Sequence, residues 1–339
     1  MAEVITVKSK DDFCKLDAAA LALANGELVA FPTETVYGLG ANALDECAVR
    51  SIFSAKGRPQ DNPLIVHIAE KKDIYKLVKS VPEVAEKVLD AFSPGPITII
   101  LEKSDIVPDV VTAGGATVAI RIPENEIARE LICRAGVPVA APSANTSGRP
   151  SPTKAHHVLE DLGDKVSAII DGGACRVGLE STVLDLTVTP PKILRPGGVS
   201  HESLSEILGE VVGYEPSSDD SSAPKSPGMK YRHYAPKAKM TVFQGKNCEN
   251  EIKTAINSHK NEKIYILTAG ENIYENATTI NCGSTPEEYS KNLFDALRKT
   301  DNDSADVVFA EFPFSSGGIT TALFNRIYKS CGGNVKLCK

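Results

Sequence analysis

The residues of this chain best suited to chemistry stand in KGRPQDNPLIVHI, at positions 56–68. Lys56 and Arg58 are cations, Asn62 offers an amide and His67 an imidazole. Positions two apart cannot share one helical face, because neighbours on a helix are three or four apart. Lys56 and Arg58 therefore converge on one cleft only from a loop or a strand. Pro59 and Pro63 stiffen the backbone between them. A rigid, cationic, amide-bearing loop feeding an apolar run suits a polyanion site. A solvated basic turn is the plainer reading of the same K-x-R pair.

Two further cations end apolar runs, Arg121 in TVAIRI and Arg195 in ILRPGG. Arginine presents a planar fork to carboxylate or phosphate, and lysine a compact point charge. A structural salt bridge accounts for any one of them equally well; four such cations at strand ends favour a shared role. APSANTSG (141–148) packs hydroxyl and amide side chains into a loop bounded by Pro and Gly. Such a loop is either a plain turn or a neutral nucleotide-binding surface. His67 lies on the apolar run LIVHI, where a satisfied core histidine is the competing reading, and GLESTV puts Ser181 and Thr182 at a strand start, as cap or contact.

GLGANA (38–43) fits the dinucleotide fingerprint only superficially. That fingerprint needs a strand running straight into it and an acidic residue about twenty positions on. Pro32 interrupts the approach and Arg58 stands where the acid belongs, so the glycines read instead as room for a tight backbone passage. The G-x-x-x-x-G-K-[ST] phosphate loop is missing from the sequence, which leaves phosphate binding to side chains and isolated amides. His156 and His157 are adjacent and lack carboxylates at ligand spacing, so no protein-held metal is expected.

These residues need elements to position them. The pattern predicts helices over 15–25, 44–55, 82–92 and 126–136. It predicts strands at 28–31, 64–68, 97–102, 117–122, 137–145, 168–173, 181–187 and 192–197. Interleaved in this way they give an α/β domain with a mixed, twisted sheet. From 213 to 238 the chain turns to Ser, Pro and Asp, a linker whose second half, SPGMKYRHYAP, is unusually rich in aromatic and cationic residues. Beyond it MTVFQ, KIYILT, TTINC and DVVFAEF alternate with helical stretches at 248–259, 286–299 and 318–330. That is a small parallel-sheet domain whose loops show no phosphate fingerprint and no titratable cluster.

The totals agree with an ordinary globular protein of 339 residues: 42% apolar, 24% charged, net charge −7. That net charge argues against general attraction to nucleic acid, though a local basic cleft stays open to it. Neither an 18-residue apolar window nor a signal segment is present, so a soluble cytoplasmic chain is expected. Its eight cysteines show no C-x-x-C pair and read as free, mostly buried thiols.

Assembled, the motifs PTETVYGLG, KGRPQDNPLIVHI, SPGPITIIL, VAIRIP, APSANTSGRPSPT, GLESTVLD, ILRPGG and SPGMKYRHYAP resemble the Sua5/YrdC family in order and content. The segment ending GGITTALFNRIYKSCGG is similar to the extra domain of its long Sua5 form. The resemblance implies a YrdC-like catalytic domain over 1–212, a linker or lid over 213–238 and a Rossmann-like C-terminal domain over 239–339. It also implies synthesis of threonylcarbamoyl-AMP and pyrophosphate from L-threonine, bicarbonate or CO2, and ATP. The product would pass to a tRNA threonylcarbamoyltransferase that completes N6-threonylcarbamoyladenosine. By this resemblance Thr35, His67, Arg121 and Ser181 hold threonine. Lys56, Arg58, Asn62, Thr117, Ser143, Asn145, Ser151 and Arg195 hold ATP, and Tyr234 closes over the nucleotide. Lys56 and Arg58 carry the catalytic charge, Mg2+ accompanies ATP, and the general base is left between His67 and a bound water. Neither sequence-specific nucleic-acid binding nor a membrane partner is implied. A hydrogenase-maturation carbamoyltransferase would carry acylphosphatase and zinc-finger regions that this sequence lacks. An RNA-binding module is the alternative of a different class.

Overall fold

The structure, a computed structural model, describes residues 2–215 and 234–338. It divides into two compact units. Of the described residues, the first holds 2–147, 151–176 and 180–215, and the second holds 148–150, 177–179 and 234–338. Most of the segment expected as a linker, with the SPGMKYRH part of its aromatic motif, lies outside the described residues.

The first unit is built on ten strands: β1 (Glu3–Thr6), β2 (Val29–Phe31), β3 (Gly38–Asn42), β4 (Ile65–His67), β5 (Ile97–Glu102), β6 (Thr117–Arg121), β7 (Val139–Ala140), β8 (Ala168–Asp171), β9 (Thr182–Asp185) and β10 (Lys192–Arg195). Their order is β1-β8-β2-β3-β7-β4-β6-β5-β9-β10. Parallel pairs such as β4/β6 and β5/β9 alternate with antiparallel ones such as β5/β6 and β9/β10, the mixed sheet that the interleaved pattern implies.

Side chains alternate between the two faces of a strand, and here the two faces fare differently. One face is apolar from β8 to β10, through Ile169, Ala30, Leu39, Ala140, Val66, Ile120, Ile99, Leu184 and Ile193. It is packed by the helices Glu46–Lys56, Glu83–Phe92, Ala155–Leu162 and His201–Leu208. On the other face, the half made by β1, β8, β2 and β7 is covered by the helices Asp17–Ala24 and Glu126–Ala135. Over the remaining half, β4 to β10, the apolar cluster is small and made of strand residues only: Ile65, Ile100, Ala119, Val183 and Leu194. That half-face carries the polar residues considered below.

Local chemistry explains the helix that feeds the KGRP loop. Asp45 accepts from the backbone N–H groups of Cys47 and Ala48 at its start, and Gly57 ends it at φ 62°, the left-handed conformation glycine adopts without strain. Strands β1 and β3 and the helices Ala155–Leu162 and His201–Leu208 were not expected from the sequence, and the strand expected over 137–145 shrinks to Val139–Ala140. In β3 the reason is plain. GLGAN has no β-branched residue, yet it pairs with β2 and β7, and its glycines leave room for neighbouring side chains. A Cβ on Gly40 would stand 2.8 Å from Val139 and 2.9 Å from Phe31. The glycines therefore lie inside a strand, which agrees with rejecting the dinucleotide fingerprint.

The second unit carries five parallel strands: β11 (Lys239–Gln244), β12 (Ile264–Thr268), β13 (Thr278–Asn281), β14 (Val307–Phe312) and β15 (Val335–Leu337), in the order β13-β12-β14-β11-β15. Three helices, Glu249–Ser258, Pro286–Asn302 and Ile319–Ser330, connect them. Two sequence expectations fail here. Cys248 and Cys338 form a disulfide, with Cα atoms 5.3 Å apart, because β15 joins the sheet beside β11 and brings the chain end to the start of the first helix. Of the other cysteines, Cys14, Cys47 and Cys133 are exposed, so the thiols are neither all free nor mostly buried. The loop after β12 also meets a carboxylate of β14: buried Glu311 accepts from Tyr274 Oη at 2.5 Å, Asn272 Nδ2 at 3.0 Å and the backbone of Ala269 at 2.8 Å.

Candidate active site

Five polar side chains form a row on this half-face. On β4 and β6, His67 and Arg121 are paired in register. Continuing the β5/β6 register one step beyond Ile99–Ile120 sets Thr98 across from Arg121. Thr98 Oγ1 and Ser181 Oγ are 2.7 Å apart, and Arg195 Nη2 donates to Ser181 Oγ at 3.1 Å and to its carbonyl at 2.9 Å. All five residues are buried. From β6 to β10 is three strand spacings, about 14 Å of backbone, and the Arg195 guanidinium reaches back from β10 to Ser181.

Arg121 is not an isolated cation. Its Nη2 donates to Glu34 Oε1 at 2.6 Å and its Nε to the Gly95 carbonyl at 3.4 Å, while Glu34 Oε2 accepts from the Glu124 backbone at 3.1 Å. Both side chains are about 95% buried. Nη1 has no hydrogen-bond partner among the described residues, so one edge of the fork remains for a ligand. Thr35 is fully buried beside this pair, and its hydroxyl lies 2.8 Å from that of Thr33. His67 meets Phe31 edge-on at 5.9 Å and its Nδ1 lies 3.2 Å from the Ile65 carbonyl. Burial first, and the charge of Arg121 second, pull its pKa down to about 3, so the ring is neutral at ordinary pH.

Lys56 is the last residue of the helix Glu46–Lys56 rather than part of a loop, and it ties that helix end to the Ser/Asn loop. Its Nζ donates to the carbonyls of Ser143 at 2.6 Å and Asn145 at 2.5 Å, and the Lys56 carbonyl accepts from Ser147. Ser143 Oγ donates to Asn145 Oδ1 at 2.5 Å. Arg58 turns back on its own loop, donating to the carbonyls of Asn62 and Pro63 at 3.3 Å, with its guanidinium 6.0 Å from the Phe53 ring. Asn62 is buried and its Oδ1 has no partner among the described residues. A 180° flip of that amide would present a donor in the same place.

The remaining candidates are placed more loosely. Ser151 Oγ donates to the buried Glu180 at 2.7 Å. Thr117 is half-buried at the far end of β6, on the same face as Arg121 and about 13 Å along the strand. Tyr234 belongs to the second unit, where its ring stacks on Phe294 at 5.0 Å with the Arg326 guanidinium 5.8 Å away. His157 Nδ1 accepts from the Thr153 backbone. Gly197 lets the ILRPGG backbone pass against GLEST, since a Cβ there would stand 2.2 Å from the Thr182 nitrogen.

Sequence reasoning missed Glu34, Thr98 and Glu180. A signal existed for Glu34, an acid in the otherwise uncharged segment 28–44, had a partner been sought for Arg121. Thr98 carried none, being one β-branched residue in a β-branched strand.

Comparison with known proteins places the whole chain. Residues 21–197 match the Sua5/YciO/YrdC family, described as Telomere recombination, and residues 199–332 match the family Threonylcarbamoyl-AMP synthase, C-terminal domain. The chain is 47% identical to the Threonylcarbamoyl-AMP synthase of Pyrococcus abyssi, over 98% of each chain. It is 44% identical to that of Bacillus subtilis, over 94% of this chain and 93% of the relative. The crystal structure of P. abyssi Sua5 complexed with L-threonine superposes with a TM-score of 0.95 at 46% identity, covering 99% of both chains.

Proposed function

The chain belongs to the Sua5/YciO/YrdC family, and from that premise we propose that it makes threonylcarbamoyl-AMP and pyrophosphate from L-threonine, bicarbonate or CO2, and ATP. Relatives of that name match it over nearly their full length. The observation that carries the reading is the row from His67 to Arg195: two buried guanidiniums, from β6 and β10, with the hydroxyls of Thr98 and Ser181 between them. One suits an amino-acid carboxylate and the other a nucleotide phosphate.

The chemistry needs two anions brought together. The threonine amine, after losing a proton, adds to CO2, or to bicarbonate with loss of water, and gives a carbamate. A carbamate oxygen then attacks the α-phosphorus of ATP, the bond to the β-phosphate oxygen breaks, and pyrophosphate leaves. Positioning and electrostatic stabilisation carry such a transfer. Arg121 takes the threonine carboxylate on its remaining edge, and Thr35 and Ser181 supply hydroxyl contacts. With its pKa near 3, His67 is too weak a base to take the amine proton; it serves as a neutral hydrogen-bonding wall and the proton goes to water.

ATP lies along Lys56, Arg58, Asn62, Thr117, Ser143, Asn145, Ser151 and Arg195, with Tyr234 as its cover. Lys56 fixes the Ser/Asn loop through two carbonyls, so it shapes the site as well as charging it. The side chains proposed for ATP are cationic, amide or hydroxyl, and the Glu180 carboxylate accepts from one of them, Ser151. Mg2+ would come with ATP, held by its phosphates and water, and would neutralise phosphate charge. No helix among the described residues is long and apolar enough to cross a membrane. A cytoplasmic enzyme handing its product to a tRNA transferase fits the role.

The test is pyrophosphate release. It is expected only when ATP, threonine and bicarbonate are all present, and Lys56→Ala should lower it at least a hundredfold. ATP consumption indifferent to threonine sinks the reading. Tight, salt-sensitive tRNA binding without turnover would indicate an RNA-binding module instead.

A further inference from the structure

The Glu34–Arg121 pair lies where the substrate carboxylate is proposed to bind, and the role assigned here to Glu34 rests on that reading of the site. Glu34 Oε1 holds Arg121 Nη2 at 2.6 Å, both groups are buried, and Glu34 Oε2 is anchored by the Glu124 backbone. The carboxylate is therefore fixed and cannot swing aside. A ligand carboxylate that docks on the remaining guanidinium edge shares one cation with Glu34.

We infer that Glu34 is the residue that makes this pocket select a zwitterionic amino acid over a plain carboxylic acid. Two carboxylates on one guanidinium stand about 5 Å apart. At an effective dielectric near 20 their repulsion outweighs a tenfold change in affinity. An α-ammonium group carried next to the ligand carboxylate cancels that repulsion, whereas a hydroxy acid offers no such cation. Glu34 also keeps Arg121 from being an unpaired buried charge, which is costly. The pocket is therefore electrically balanced and admits a neutral zwitterion without disturbing that balance. Nucleotide phosphates, which carry no ammonium group, are repelled from this end of the row by the same fixed carboxylate.

The experiment is calorimetric binding to the full chain of L-threonine and of 2,3-dihydroxybutanoate, which carries a hydroxyl in place of the amine. Wild type should bind threonine at least a hundredfold more tightly than the hydroxy acid. Glu34→Gln, which keeps an oxygen for Arg121, should strengthen hydroxy-acid binding at least tenfold relative to threonine. Equal weakening of both ligands in the variant, or an unchanged ratio, overturns the inference and leaves Glu34 a structural partner of Arg121. Should the variant not fold, equal affinity of wild type for the two ligands overturns it just as well. A wild-type chain that binds no threonine overturns the underlying site assignment, an outcome distinct from an unchanged ratio.

Discussion

His67 is packed edge-on against Phe31 and paired in register with Arg121, and burial first, with the Arg121 charge second, sets its protonation. Its folded-state pKa of about 3 lies below the ordinary value of 6.5. Between those two values the unfolded chain binds more protons than the native one, so stability rises with pH across the window. As pH falls from about 6.5 toward 3 the native state loses about 1.4 kcal/mol per unit from this one group. Urea unfolding at pH 7 and pH 5 should show that loss, and His67→Gln should flatten it by one proton's slope. An identical slope in both proteins would mean His67 is charged in the native state. The same residue scale explains why KGRPQDNPLIVHI was informative: Lys56, Arg58, Asn62 and His67 are chemically unusual beside prolines and an apolar run. It also explains why Glu34 was not legible. A carboxylate in PTETVYGLG gains meaning only from Arg121, 87 residues away.

At the scale of elements, position follows from register and from close approach. The row from His67 to Arg195 needs β4, β6, β5, β9 and β10 side by side, an order that swaps β5 with β6 and passes over β7 and β8. β3 shows how small residues enter this arrangement. Gly38 and Gly40 lie under Phe31, and Phe31 in turn touches His67. Gly40→Ala should cost about 1–3 kcal/mol through overpacking against Val139 and Phe31. It should lower the melting temperature, and it should raise the KM for threonine through the displaced Phe31. A variant as stable as wild type would mean that the strand relaxes without strain. The strands expected at 97–102 and 117–122 were legible because their β-branched density is high; β3 was not, because glycine marks strands and turns alike.

At the scale of the whole molecule, each unit has its own apolar core, one on a mixed sheet and one on a parallel sheet. Tyr234 tests what the second unit contributes. Its ring is buried among Phe294 and Arg326, and its proposed task is to cover the nucleotide. Tyr234→Ala should cut threonine-dependent pyrophosphate release at least tenfold and raise the KM for ATP. A change confined to thermal stability would assign the ring to packing within the second unit alone. The sequence by itself determined the α/β class of both halves, because periodicity and β-branched density are local properties. It also marked most of the residues proposed for the site, because cations and amides are conspicuous at the ends of apolar runs. Only the tertiary structure decided that His67 pairs in register with Arg121, that Glu34 neutralises Arg121, that Thr98 joins Ser181, and that Cys248 meets Cys338. Each of these is a pairing between distant segments, and such pairings are set by strand order and register.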